Sequence, residues 1–208
     1  MPKPSMRLSA LLILTLATPC ASAGGGLLGL DHNVNQTDTG IWARRNQLYL
    51  EYASAVVELG GALWFGRDDR LGRAFWQSFD ASAIGAVASL SLKHLAGRAR
   101  PRDGGDPDLW RQGNGNLSFP SGEVTQQAAF VTPLIMEYRV DHPGIWVLEL
   151  LPLYDAIARV KSRAHWQSDV LAGWLLGSAT GYYSATQAIP FSVQWLPGQI
   201  TIGIRTRF

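Results

Sequence analysis

His165 and Asp169 are the pair from which covalent chemistry is most readily built. They lie four residues apart in "RVKSRAHWQSD" (159–169), one helical turn, and so on one helix face. A carboxylate placed there can accept from Nδ1–H of the imidazole. That fixes the tautomer and leaves Nε2 free as a nucleophile. Arg159 precedes His165 by six residues. Upstream, "FPSGE" (119–123) reads as a tight turn opening a helix. The unpaired N–H groups of such a turn, with the positive end of the helix dipole, attract a phosphate-like anion. Ser121 adds a hydroxyl, and Gly122 lets an anion approach the backbone closely. Further upstream, in "KHLAGRARP" (93–101), Lys93 and Arg100 stand seven residues apart, two helical turns, and share a face if the helix persists.

Each cluster has an ordinary reading when taken alone. The first-encountered basic stretch is a helix end that complements its dipole. Ser121 and Glu123 are a helix cap and a favourable first-turn acid. His165 and Asp169 are an incidental i, i+4 pair. Together they offer three cations, an imidazole with a carboxylate partner, and an anion cradle.

The elements that must position these groups are helical. "IWARRNQLYLEYASAVVELGGALWF" (41–65) repeats its apolar residues at helical spacing, with Gly60-Gly61 as a candidate break. "DDRLGRAFWQSF" (68–79) reads as a second helix with Asp68 and Asp69 at its start, and residues 81–97 as a third, rich in small residues. Residues 100–122 form a long Gly, Asp and Pro loop, a length often tied to function. Its Asp103, Asp106 and Asp108 fit turn-making better than a Ca²⁺ pattern. Helices follow at 124–139, bent at Pro133, at 144–160, again with an internal proline, and at 166–186. The alternation of Ile200, Ile202 and Ile204 after Pro197-Gly198 predicts a small hairpin at 191–208, read as a lid over the helical core.

The chain has 208 residues, which implies one domain, here residues 41–190, with ample length for a core. Residues 1–23 read as a secretory signal: Lys3 and Arg7, a short apolar run at 8–17, then "ASA". Cleavage before Gly24 removes Cys20, the only cysteine, and with it any disulfide framework or thiolate chemistry. It also removes two of the 18 Lys and Arg and none of the 16 Asp and Glu, leaving 16 of each. A chain with no basic surplus is a poor nonspecific nucleic-acid binder. Residues 24–40 read as a flexible lead-in. The stretch from Val170 to Phe191 carries no charge, but its Gly, Ser and Thr suit a bundle core, so a soluble secreted protein is expected, with the Gram-negative periplasm as its compartment. Of the tryptophans, Trp64, Trp76, Trp110 and Trp166 are expected in core packing more than at a membrane interface, although peripheral membrane contact stays open.

Lys-x6-Arg-Pro, then Pro-Ser-Gly, then Arg-x5-His-x3-Asp occur in that order between residues 75 and 186. In this the sequence resembles the type 2 phosphatidic acid phosphatase superfamily, which includes bacterial acid phosphatases and vanadium haloperoxidases. The resemblance implies an all-α fold: a compact helical bundle of that kind, here with a C-terminal β-hairpin. It implies a phosphatase that needs no metal, acting on phosphate monoesters or diphosphates of a small molecule or a lipid. Lys93, Arg100 and Arg159 would bind the nonbridging oxygens, with Ser121 and the Gly122 N–H adding hydrogen bonds. His165 would form a phosphohistidine, oriented by Asp169. Vanadate is conceivable as a phosphate mimic, with no other cofactor implied.

One position departs from that pattern. The family usually has a histidine after Pro-Ser-Gly as general acid, and here it is Glu123. Glu123 is expected either to act as the acid, or to leave an enzyme suited to leaving groups that need little protonation, or to mark a weak or inactive phosphate binder. A vanadate-dependent peroxidase is a further alternative. His32, His94 and His142 are expected to be structural or solvated rather than substitute acids.

Overall fold

The computed structural model describes residues 25–113 and 115–187, and the backbone alone of 191–196 and 199–204. The signal segment, Cys20, the Pro197-Gly198 turn and Phe208 lie outside the described residues, as do the side chains on which a lid would depend.

Among the described residues the fold is an all-α bundle of five helices: α1 (Arg44–Phe65), α2 (Arg70–Ala96), α3 (Gly122–Tyr138), α4 (Leu150–Lys161) and α5 (Gln167–Thr186). Two strands, β1 (Phe191–Leu196) and β2 (Gln199–Ile204), pair antiparallel as the expected hairpin, with Val193 opposite Ile202. Helix α3 is central and touches each of the other four. No helix among the described residues is long and apolar enough to cross a membrane.

Three helix expectations change. The two helices expected at 68–79 and 81–97 are one, α2. Asp80 is not a break but a buried side chain. The cap is where the sequence places it: Asp69 accepts from the N–H groups of Leu71 and Gly72, and Gly97 closes the helix in the left-handed conformation at φ 52°. Gly60-Gly61 does not interrupt α1; a Cβ on Gly61 would come within 2.5 Å of the Phe75 ring, so that glycine lets α2 approach. The helix expected at 144–160 divides into a 3-10 segment (Pro143–Glu149) and α4, which puts Pro152 in the first turn of α4, where its missing N–H leaves no hydrogen bond unmade.

The apolar core gathers Phe75, Trp76, Phe130, Val131, Leu134 and Ile135, with Phe75 stacked on both Phe65 and Phe130. Burying one such large side chain contributes about 1.5–3 kcal/mol. This core grips the later turns of α3, at the end away from Ser121-Gly122.

Helix α5 fixes that first turn more directly. Gly173, Gly177 and Gly181 form a ladder at helical spacing against α3. An added Cβ would lie 2.5 Å from the Ser121 carbonyl oxygen, 2.3 Å from that of Thr125 and 2.5 Å from Thr132 Cβ, respectively. Backbones packed this closely leave no room for any side chain.

Helix α1 packs the other way round. Arg44, Ser54 and Glu58 bond to α3 through Glu123, Gln127 and Gln126, while Tyr49, Tyr52, Val56 and Trp64 are exposed. Trp76 and Trp166 are core residues as expected, and Trp64 is not. Residues 25–40 are short of regular structure, yet anchored rather than loose. Gly25 and Asp31 exchange backbone hydrogen bonds, Asp31 is buried, and the Thr37 N–H reaches the Lys161 carbonyl.

Candidate active site

The Asp169 carboxylate is the best-anchored group in the site. Oδ1 accepts from Arg98 Nη1 at 2.6 Å, and Oδ2 from Ser118 Oγ at 2.5 Å and the Trp166 N–H at 2.9 Å. Its own carbonyl accepts from the Ser121 N–H at 2.9 Å, tying the start of α5 to the Pro-Ser-Gly turn. Burial pushes its pKa up, but His165, Arg98 and Ser118 together hold it below the usual range.

Arg98 is fully buried. Nη2 donates to Asp31 Oδ2 at 2.6 Å, and Ser168 bonds Asp31 through both its N–H and its hydroxyl, at 2.8 and 2.7 Å. The guanidinium also lies over the Trp110 ring, 4.3 Å from its centre. Arg98 thus neutralises two carboxylates and serves as a strut, not as a phosphate ligand.

His165 is buried between this strut and the cations. Nδ1 faces Asp169 Oδ2 at 3.7 Å, beyond hydrogen-bond reach and with no other hydrogen-bond partner, and Nε2 faces Arg100 Nη1 at 3.5 Å. The backbone turn that delivers it has Arg163 at φ 55°, and the N–H groups of Ala164 and His165 both reach the Arg159 carbonyl. Burial pushes the imidazole down to about 4, against the upward pull of Asp169. It is therefore neutral at physiological pH, the form in which Nε2 can act as a nucleophile.

The three expected cations meet here. Lys93 Nζ donates to the carbonyls of Leu117 (3.0 Å) and Pro120 (2.6 Å), bracing the turn from below. Burial lowers its pKa to about 8, helped by Arg100. Arg100 donates to the Ala164 carbonyl at 2.9 Å and the Leu117 carbonyl at 3.3 Å. Arg159 Nη1 reaches Gln47 Oε1 at 3.1 Å, while its buried Nε has no hydrogen-bond partner. Ser121 Oγ is buried and likewise unpaired. It makes no helix-cap bond, so the capping reading of Ser121 does not hold. A Cβ on Gly122 would lie 3.5 Å from Lys93 Cε and 3.6 Å from Ser89 Oγ, in ordinary contact. A cavity of about 530 Å³ opens on this side, lined by Glu51, Tyr52, Ser89, Lys93, Gly122 and Gln126.

Glu123 is engaged elsewhere. Its carboxylate takes a two-pronged ion pair from Arg44, at 2.6 and 2.8 Å, with Arg159 Nη1 at 3.5 Å. Burial pushes it up, but the hydrogen bonds from Arg44 and the charge of Arg159 outweigh that and hold it below the usual range. An ionised carboxylate has no proton to give, so this arrangement opposes the first of the three outcomes set out for Glu123, the working acid.

Asp106 makes a turn, its Oδ1 accepting the Asp108 N–H, whereas Asp108 Oδ1 accepts the distant Gly26 N–H and so anchors the lead-in. Among the described residues no group of three or more His, Cys, Asp or Glu side chains is placed to hold a metal ion. The donors that do converge are guanidinium, ammonium and hydroxyl groups, a set matched to a tetrahedral oxyanion. His32, His94 and His142 are exposed, outside this constellation.

A family model described as the PAP2 superfamily matches residues 76–190, more than half of the 208-residue chain. The chain belongs to the PAP2 superfamily. No curated protein and no solved structure matches it. PAP2 proteins are generally phosphatases, which sets the coarse class of the chemistry. Lys93, Arg100, Ser121, Arg159, His165 and Asp169 all lie inside the PAP2 segment. Asp31, Arg44 and Gln47 precede it, and with Arg98 and Ser118 they are the participants that motif spacing does not reveal. Arg98 lies inside "KHLAGRARP" and Ser118 just before "FPSGE", at positions whose partners are distant in sequence. Asp31 and Arg44 carry no local signal at all.

Proposed function

We propose that this PAP2 protein is a phosphatase that works through a phosphohistidine and favours substrates whose leaving group needs little protonation, diphosphates and aryl phosphates above alkyl phosphates. The observation that carries this reading is the buried His165, with Nε2 facing Arg100 at 3.5 Å and Nδ1 facing Asp169 at 3.7 Å, beside the unpaired Ser121 Oγ.

A phosphoryl group seated on Arg100, Arg159 and Lys93 has its nonbridging charge neutralised, with Ser121 Oγ and the Gly122 N–H as further donors. Nε2 of His165 attacks phosphorus, the P–N bond forms, and the bond to the leaving oxygen breaks. The imidazole becomes cationic in that step, and the Asp169 carboxylate stabilises it. Water then attacks phosphorus, the P–N bond breaks, and inorganic phosphate leaves with His165 restored.

Nothing in this sequence protonates the leaving oxygen, because Glu123 is ionised and paired with Arg44. General acid catalysis typically supplies about 10²–10⁴-fold. An alkoxide suffers that loss in full, whereas a departing phosphate is already a stable anion. The test is Glu123→His against wild type on both substrate types, with His165→Ala as the inactive control. A gain concentrated on alkyl phosphates is expected; an equal gain on both refutes the leaving-group argument.

The same Arg44–Glu123 pair favours one other reading, a noncatalytic binder of phosphate or lipid phosphate. Release of phosphate no greater than that of His165→Ala, across alkyl, aryl and diphosphate substrates from pH 4 to 8, would select it.

A further inference from the structure

Arg44 and Arg159 share two acceptors. Glu123 Oε2 lies 2.6 Å from Arg44 Nη1 and 3.5 Å from Arg159 Nη1. Gln47 Oε1 lies 3.2 Å from Arg44 Nη1 and 3.1 Å from Arg159 Nη1. A single oxygen therefore spans the two guanidinium groups, twice over. An anion held on Arg159 is one bridging oxygen away from Arg44.

The groups are also ordered from inside to outside. Side-chain exposure rises from 3% at His165 through 8% at Arg159 and 18% at Glu123 to 39% at Arg44. Arg44 thus lies on the solvent side of the phosphoryl position, where the rest of a bound substrate must lie. Gln47 is buried and donates to the Trp42 carbonyl, so the Arg44 end of α1 has a fixed place over the site.

We infer that Arg44 is a specificity-determining residue of this site: with one phosphoryl group seated on Arg100 and Arg159, the second phosphate of a diphosphate binds Arg44 and displaces the Glu123 carboxylate from it. The inference rests on the phosphatase reading for the position of the first phosphoryl group, and it adds the receptor for the second. Glu123 then stands, in the empty site, where a phosphate oxygen will sit. A monophosphate leaves the Arg44–Glu123 pair undisturbed.

Isothermal titration of the full chain with inorganic phosphate and with inorganic pyrophosphate tests this, with wild type and every variant alike carrying His165→Ala so that pyrophosphate is not hydrolysed during the measurement. Removing Arg44 alone would free Glu123 to compete for Arg159, so the informative comparison is the double variant R44Q/E123Q against E123Q. Loss of a charge-assisted contact should weaken pyrophosphate about tenfold or more while phosphate changes less than about twofold. E123Q alone should bind pyrophosphate more tightly than wild type. R44K, which keeps the charge and loses the two-pronged geometry, should narrow the preference for pyrophosphate over phosphate and guards against misfolding of the double variant. Equal weakening of both anions, or of neither, overturns the role of Arg44 while leaving the phosphatase reading intact. Failure of wild type to bind phosphate at all overturns both.

Discussion

Asp31→Asn tests whether the lead-in holds the active site together. Asp31 is 1% exposed and accepts three hydrogen bonds: from Arg98 Nη2 (2.6 Å), Ser168 Oγ (2.7 Å) and the Ser168 N–H (2.8 Å). Asparagine keeps one acceptor oxygen and turns an NH₂ group toward donors. Hydrogen bonds to charged groups contribute about 1.5–3 kcal/mol each, and an unsatisfied buried donor costs a similar amount. Arg98 would retain Asp169 as counterion. The loss should therefore fall short of the roughly 3–5 kcal/mol seen when a buried charge is left with no partner. We expect a loss of about 2–3 kcal/mol. At about 2–4 °C per kcal/mol for a chain of this size, Tm falls by about 4–12 °C. Differential scanning calorimetry at pH 7, in low and high salt, measures it. The decrement should persist in high salt, because screening acts on exposed charges and these are buried. A Tm within about 1 °C of wild type, or a decrement that vanishes with added salt, would show that the network is not what holds Asp169.

Three further outcomes are expected. Gly177→Ala places a methyl group 2.3 Å from the Thr125 carbonyl and must push α3 from α5, so it should cost about 1–3 kcal/mol or more in a urea melt and lower kcat/KM, whereas Gly144→Ala, with open space around it, should be close to silent in both. In pH profiles of kcat/KM, the acidic limb from His165 should lie near pH 4, not at the ordinary histidine value near 6.5, and phosphate affinity should fall as Lys93 loses its charge above about pH 8, a fall that Lys93→Gln should remove. Burial pushes Glu58 up to about 7 from 4.5, so between those values the folded chain holds a proton that the unfolded chain has lost. Stability from this group falls as pH rises through that window. Glu58→Gln should therefore melt higher than wild type at pH 8, by up to roughly 3 kcal/mol, with the difference closing near pH 4.5.

The sequence makes the catalytic half of this site legible because its chemistry is local. His165 and Asp169 sit a turn apart, and Ser121-Gly122 opens a helix, so spacing alone brings the reacting groups onto known faces. Helical periodicity likewise marks the helical regions, though not all their bounds, and Asp68-Asp69 marks the start of α2 by residue type. What spacing does not carry is pairing over distance. Arg98 looks like one more cation beside Arg100, and only the fold gives it Asp31 and Asp169. Glu123 reads as a displaced acid until α1 supplies Arg44. The two segments expected at 68–79 and 81–97 are one because α2 runs through Asp80 and buries it.

The seam between α1 and α3 sets a condition on assembly. A greasy stripe tolerates sliding, since one methyl contact replaces another. Hydroxyl, amide and carboxyl groups such as Ser54, Gln127, Gln126 and Glu58 do not, because a shift of one turn, about 5.4 Å, strands each of them without a mate. Helix α1 consequently has a single permitted register, and that register dictates where Arg44 stands above the reaction centre.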